Sequence, residues 1–274
     1  MKRITLSLCT LLLTALLAVP AFAARTLLMA TTTSTANTGL LDDLIVPQFK
    51  KDTGIEIKFI AVGTGKALKM AENGDVDVVL VHAPAAEKVY VDKGVLIDRT
   101  QLMYNDFVII GPDSDPAGIK GMTPAKALNA IAAKQAVFAS RGDNSGTNKK
   151  EISLWKAADM QVPDKEAWYV QTGQGMISTI TVAEEKGAYT MTDRGTYIKY
   201  SANKDGNPPL KVLVEGDPVL FNQYSALAVN PKMHKNAKYD LAKEFIAWMA
   251  RPETQKAIGD FKLLGKPLFT PNAQ

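Results

Sequence analysis

Leu27-Leu28-Met29-Ala30-Thr31-Thr32-Thr33-Ser34-Thr35 is an apolar run that passes directly into a row of hydroxyls. Four apolar residues in succession suit a buried strand, and Gly39–Lys51 then carries Leu40, Leu41, Leu44, Ile45 and Phe49 at helical spacing. The stretch predicts strand, polar loop, helix. The pattern recurs where Ala136-Val137-Phe138-Ala139 leads into Ser140-Arg141-Gly142-Asp143-Asn144-Ser145-Gly146-Thr147 and a helix over Ser145–Ala158. Such a loop aims free backbone N–H groups and the positive end of a helix dipole at one point. Hydroxyls add donors, and Arg141 adds a planar cationic fork. With no base or nucleophile system beside them, these loops suggest capture of an anion, not its conversion.

The alternation extends along the chain. Further strands are expected at Glu56–Ala61, Val76–His82, Phe107–Ile110, Trp168–Val170, Ala188–Met191, Lys211–Val214 and Ala226–Val229. Further helices are expected at Ala125–Lys134, entered through Thr123-Pro124, and at Gly175–Lys186 and Lys238–Ala250. Alternating β and α elements imply an α/β protein with doubly wound sheets and binding at their loop edges. Tyr104-Asn105-Asp106-Phe107-Val108-Ile109-Ile110-Gly111-Pro112 and Tyr224-Ser225-Ala226-Leu227-Ala228-Val229-Asn230-Pro231 are β-rich runs that end alike, as paired crossovers between two lobes would. One lobe then holds residues 24–105 plus 225–274 and the other 106–224, with the two hydroxyl loops facing each other over a cleft.

Met1-Lys2-Arg3, an apolar stretch from Leu6 to Val19 and Pro20-Ala21-Phe22-Ala23-Ala24 form a secretory signal peptide over residues 1–23, with cleavage expected after Ala23. The stretch is short for a membrane span, which takes about 20 residues. The only cysteine, Cys9, lies within it, so the exported chain has no disulfide, cysteine metal site or thiol nucleophile. An exported protein without disulfides suits a bacterial periplasm. The formal charge of +4 includes Lys2 and Arg3 and falls to +2 without them, too mild to indicate nucleic acid.

The chain resembles the periplasmic solute-binding proteins of ABC transporters, and among them most closely the tungstate-binding proteins. The residues that carry this are Ala30-Thr31-Thr32-Thr33-Ser34, the Ser140–Thr147 element and Ala188-Tyr189-Thr190-Met191-Thr192-Asp193-Arg194-Gly195-Thr196. The Thr-Thr-Thr-Ser opening is the specific part; the second element also resembles phosphate-binding relatives. The resemblance implies a two-lobed, type II periplasmic-binding-protein fold, with two mixed sheets flanked by helices and joined by two crossover strands. It implies lobes that close on a buried oxyanion, tungstate or molybdate, and a monomer that delivers the ligand to an inner-membrane ABC permease, with no cofactor and no catalysis.

The residues expected to hold the anion are Thr32, Thr33 and Ser34, then Arg141, Ser145, Gly146 and Thr147. Gln174 and Gly175 come from a third strand-to-helix turn, Thr172-Gly173-Gln174-Gly175-Met176. Asp143 and Arg194 are expected as braces. Two roles stand open for Asp143: an acceptor for a protonated anion, which would favour phosphate, or a partner for Arg141. Tungstate, molybdate and sulfate carry no proton at neutral pH and call for donors only.

Enzyme signatures fail one by one. Ser153-Leu154-Trp155-Lys156 matches Ser-x-x-Lys but lies within a helix and lacks the Ser-Asp-Asn and Lys-Thr-Gly partners of a penicillin-binding enzyme. His82 and His234 form no metal spacing. Gly63-Thr64-Gly65-Lys66 fails the full phosphate-loop spacing and is expected to be a turn. The alternatives to tungstate binding are thus a molybdate- or phosphate-binding protein of the same fold or, more remotely, a secreted hydrolase.

Overall fold

A computed structural model describes residues 25–273. The expected signal peptide lies outside the described residues. Strand β1 (Thr26–Thr32) runs parallel to β2 (Glu56–Val62) on one side and β3 (Val78–Val81) on the other. The 17-residue β4 (Leu96–Pro112) spans the molecule. Parallel to one another are β5 (Phe138–Ser140), β6 (Tyr169–Gln171) and β7 (Tyr189–Asp193). Strands β8 (Leu210–Val214) and β9 (Phe221–Val229) run antiparallel to β4. The sheet order is β2-β1-β3-β9-β4-β7-β5-β6, with β8 also paired to β4. Near the C-terminus, β10 (Lys262–Leu263) pairs with β11 (Lys266–Pro267), and β12 (Thr270–Pro271) pairs with β4.

The helices cover this mixed sheet. They are α1 (Thr33–Ala36), α2 (Val46–Thr53), α3 (Thr64–Asn73), α4 (Pro84–Asp92), α5 (Pro124–Ala133), α6 (Gly146–Ala157), α7 (Met176–Lys186), α8 (Arg194–Ala202), α9 (Tyr239–Met249) and α10 (Pro252–Asp260). A π-helical turn, Leu41–Ile45, leads into α2. Two large apolar clusters form around β4. One gathers Leu27, Met29, Phe49, Ile57, Tyr224, Phe245 and Trp248; the other gathers Phe107, Ile109, Phe138, Trp155, Tyr189 and Leu220. Burying each large apolar side chain stabilises the fold by roughly 1.5–3 kcal/mol. Trp248 adds a bond from Nε1 to Asp52 Oδ2 at 2.9 Å, so its one polar atom is satisfied.

Register fixes where the strand ends lie. β3 finishes with Val81 opposite Ser225, and β9 begins with Phe221 opposite Asp106 of β4. β7 finishes with Asp193 opposite Phe107, the next residue of β4. The carboxyl ends of the parallel strands on both flanks therefore point at the middle of β4. In open α/β sheets, that is where ligands bind.

Two expectations need correction. Gly63–Lys66 is not a free turn: Gly63 is the N-cap of α3, with Ala67 N–H donating to Gly63 O at 3.0 Å. The cause is the apolar face of Ala67, Leu68 and Ala71, which burial pulls into a helix. The strand at Phe107–Ile110 is the last part of the much longer β4.

Candidate functional site

The first hydroxyl run straddles the end of β1. Thr31 is buried and donates to Leu80 O at 2.8 Å, tying β1 to β3. Thr32 is buried and caps α1, its Oγ1 accepting from Thr35 N at 3.1 Å. Thr33 and Ser34 are exposed.

Beneath them lies His82, which follows β3. Its Nε2 is 2.9 Å from Thr32 Oγ1 and 3.1 Å from Ser34 Oγ. Its Nδ1 is 2.9 Å from Asn222 Oδ1, and its ring stacks on Tyr224 with centroids 4.6 Å apart. Asn222 Nδ2 in turn donates to Asn105 Oδ1 at 2.7 Å. Desolvation holds the imidazole below its ordinary pKa despite Asn222 and the charge of Asp193. His82 is therefore neutral at neutral pH. Sequence reasoning missed His82, Asn105, Asn222 and Tyr224, because their meeting depends on the register of β3, β9 and β4.

The second run opens α6. Ser145 is its N-cap, accepting from Asn148 N at 3.3 Å, which leaves the N–H groups of Gly146 and Thr147 without an intrahelical acceptor. Asp143 Oδ1 accepts from Ser145 N at 3.1 Å, and Asp143 Oδ2 from Arg141 NH2 at 2.5 Å. Burial pushes the Asp143 carboxyl up, but Ser145 and the Arg141 charge outweigh it and hold it below the ordinary carboxylate range. Asp143 is thus an ionised partner of Arg141. Arg141 Nε is buried and has no acceptor among the described residues. A buried donor left unpaired costs about 1–3 kcal/mol, so its place beside the α6 N-terminus suits an anion.

The loop is held from below by hydrogen bonds. Ser140 Oγ donates to the buried Glu151 Oε2 at 2.6 Å and accepts from Gly142 N at 3.2 Å. Glu151 Oε1 accepts from Tyr169 OH at 2.5 Å and Trp155 Nε1 at 3.0 Å. Gly142 sits at φ +57°, and a Cβ there would lie 2.9 Å from Gln171 Cβ. The third turn lies against this loop: Thr172 N donates to Ser140 O at 2.9 Å and Gly173 N to Arg141 O at 2.8 Å. Gln174 and Gly175 follow, exposed, with Gly175 the N-cap of α7.

Arg194, at the head of α8, is held by two carboxylates. Its Nε donates to Asp106 Oδ1 at 2.6 Å, and its NH2 to Asp106 Oδ2 at 2.5 Å and Glu215 Oε2 at 2.7 Å. It pins β7 and α8 to the middle of β4. Contact between the flanks is direct here: Lys199 Nζ of α8 donates to Asn37 O, just past α1, at 2.5 Å. The structure thus groups Arg141, Asp143 and Ser145 with Gln174 and Gly175 on one flank of the β4 midpoint. It groups Thr32, Thr33 and Ser34 with His82 on the other.

A family model for the PBP superfamily domain matches residues 20–253. The tungstate-binding protein TupA of Campylobacter jejuni is 51% identical over 241 residues, covering 88% of this chain and 89% of its own. TupA of Peptoclostridium acidaminophilum is 44% identical over 252 residues, covering 90% and 86%. Among solved structures, the tungstate-binding protein TupA of Desulfovibrio alaskensis G20 is 71% identical with a TM-score of 0.89, covering 92% of this chain and 100% of its own. Sequence and architecture agree, and the chain belongs to the tungstate-binding protein family of the PBP superfamily.

Proposed function

We propose that this chain is a periplasmic, high-affinity tungstate-binding protein that hands its ligand to the permease of an ABC transporter. The observation that carries the site is the buried, unpartnered Nε–H of Arg141 beside the free N–H groups of Gly146 and Thr147. In the proposed site, Ser145 and the Gln174–Gly175 turn add donors from the same flank. Ser34 and Thr33 face them from the other, with Thr32 supporting from beneath. Asp143 fixes the Arg141 fork and Arg194 braces the strand crossing, so neither touches the ligand. We take residues 24–105 with 225–274 as one lobe and 106–224 as the other, closing on the anion about β4 and β9.

The cation and the backbone groups in this set are donors, and its hydroxyls can donate as well. Asp143, the one carboxylate among them, is ionised and already engaged. A donor-rich site with no free carboxylate fits a fully deprotonated dianion and disfavours hydrogen phosphate, whose proton calls for a strong acceptor. No catalysis is ascribed to the chain: Ser153 lies within α6, and its hydroxyl donates to the backbone Lys150 O at 2.6 Å. The reading is tested by calorimetric titration of the ligand-stripped, leaderless protein with tungstate, molybdate, sulfate and phosphate in parallel. Tight tungstate binding with weak phosphate supports it. Tight phosphate binding would make Asp143 an acceptor and move the chain to a phosphate carrier.

A further inference from the structure

We propose that His82 is a positioning residue for the anion: its unprotonated Nε2 accepts a hydrogen bond from the Thr32 hydroxyl and so leaves the Ser34 hydroxyl as an outward donor. This rests on the tungstate reading above and assigns a part of that site that touches no ligand.

Asn222 spends an N–H on Asn105 Oδ1 at 2.7 Å, so its own Oδ1 faces His82 Nδ1 at 2.9 Å as an acceptor. Nδ1 must then carry the proton. In a neutral ring, Nε2 is left with one lone pair and no hydrogen. Thr32 Oγ1 at 2.9 Å and Ser34 Oγ at 3.1 Å both reach that lone pair, and only one can donate to it.

Thr32 is the buried member of the two, while Ser34 is open to solvent. With the Thr32 hydroxyl donating to Nε2, the oxygen lone pairs of Thr32 remain to be filled. Thr35 fills them, through its N–H at 3.1 Å and its hydroxyl at 2.6 Å. Neither His82 nor Thr32 then has an acceptor left for Ser34, although Thr32 Oγ1 lies only 3.0 Å from Ser34 Oγ. The Ser34 proton points away from the protein, where a bound oxyanion supplies the acceptor.

Stacking on Tyr224 locks the ring plane, and both ring nitrogens are held by named partners, so the ring cannot turn to offer Nδ1 instead. The charged group that acts on the ring is Asp193 from β7; desolvation outweighs it and keeps the ring neutral. Thr32, Ser34 and Asn222 carry no charge.

The test is 15N NMR of protein labelled at histidine, free and with excess sodium tungstate, joined to a mutant cycle. The chain has only two histidines, so the spectrum holds two imidazoles and His82→Phe assigns them. The expected result is a protonated Nδ1 and a bare Nε2 at His82 in both states. His82→Phe should weaken tungstate binding roughly tenfold, the worth of one charge-assisted hydrogen bond. His82→Gln, which restores an acceptor near the Nε2 position, should recover most of that loss. In a Ser34→Ala background, His82→Phe should change affinity by less than about twofold, since the hydroxyl it directs is already gone.

A protonated Nε2 in the free protein overturns the inference, as does an equal loss from His82→Phe in both backgrounds. Failure of the wild-type protein to bind tungstate would instead sink the functional reading. The free-protein tautomer is measured without ligand and separates the two failures.

Discussion

Removing the Arg141 side chain should separate binding from folding. Its side chain is 19% exposed and, among the described residues, makes one ion pair, with Asp143, whose side chain is 20% exposed. Arg141→Ala breaks this half-buried pair but also removes a buried Nε–H whose lack of an acceptor costs the ligand-free protein about 1–3 kcal/mol, so the two effects offset and the thermal midpoint of the ligand-free protein should stay within a few degrees. The effect on binding is larger. The buried Nε–H has no protein acceptor to lose, so its whole worth falls on the ligand. One charge-assisted hydrogen bond is worth about 1.5–3 kcal/mol, and 1.4 kcal/mol is a factor of ten. Loss of that bond alone predicts roughly a ten- to hundredfold weaker dissociation constant for tungstate. Unmasking the ionised Asp143 beside a dianion adds to it. The double variant Arg141→Ala/Asp143→Asn should therefore bind more tightly than Arg141→Ala alone. Calorimetric titration of both variants is the assay, with thermal melts of the free proteins alongside. Unchanged affinity in Arg141→Ala would remove the residue from the site, and a double variant weaker than the single one would refute the bracing role given to Asp143.

Glu151→Ala leaves three buried donors, from Ser140, Tyr169 and Trp155, without their acceptor and should lower the unfolding free energy in urea by at least about 2 kcal/mol. Burial holds the Glu151 carboxyl above its ordinary pKa, so the native state binds the extra proton. Stability gained from this group is full below the unfolded pKa and is lost as pH rises through the folded one; urea melts across pH of Glu151→Gln, compared with wild type, should lack that component. Gly142→Ala forces a side chain into a left-handed backbone at φ +57° and against Gln171, a strain of roughly 1–2 kcal/mol before the clash. It should lower both melting temperature and tungstate affinity, since it distorts the Arg141 loop. Arg194→Ala removes three bonds to Asp106 and Glu215 and should cost about 1–3 kcal/mol in chemical denaturation, while its affinity loss stays smaller than that of Arg141→Ala.

Much of the architecture is legible in the chain because short apolar runs and helical stripes alternate so regularly. Ser145 could be recognised as a cap, and α6 and α7 follow from their loops. What stayed hidden depends on partners far away in sequence. The first half of β4 shows no clean alternation, because its register against β9 shifts between Ile97 and Thr100 and again between Gln101 and Met103, and Asp98 sits at φ +51°. Each irregularity moves side chains to the other face and erases the period-two signal. The start of β9, Phe221-Asn222-Gln223-Tyr224, is polar because Asn222 serves the His82 network rather than the core. α4 and α10 each open with a proline, at Pro84 and Pro252, a start signal that sequence inspection can use. α8 carries little amphipathic pattern, but Asp193 caps it by accepting from Thr196 N at 2.9 Å, and that spacing was readable. His82 itself gave no signal, since a lone histidine after a strand becomes informative only when Asn222 is known to lie against it.

The central claim is that one oxyanion sits between the Arg141 loop and Ser34. Anomalous diffraction at the tungsten edge, from crystals grown with tungstate, tests it most directly. The account predicts a single strong anomalous peak within hydrogen-bonding reach, through its oxygens, of Arg141 Nε, the Gly146 and Thr147 N–H groups and the Ser34 hydroxyl. A tungsten peak elsewhere, or one contacting the carboxylate of Asp143 instead of the Arg141 fork, would contradict it.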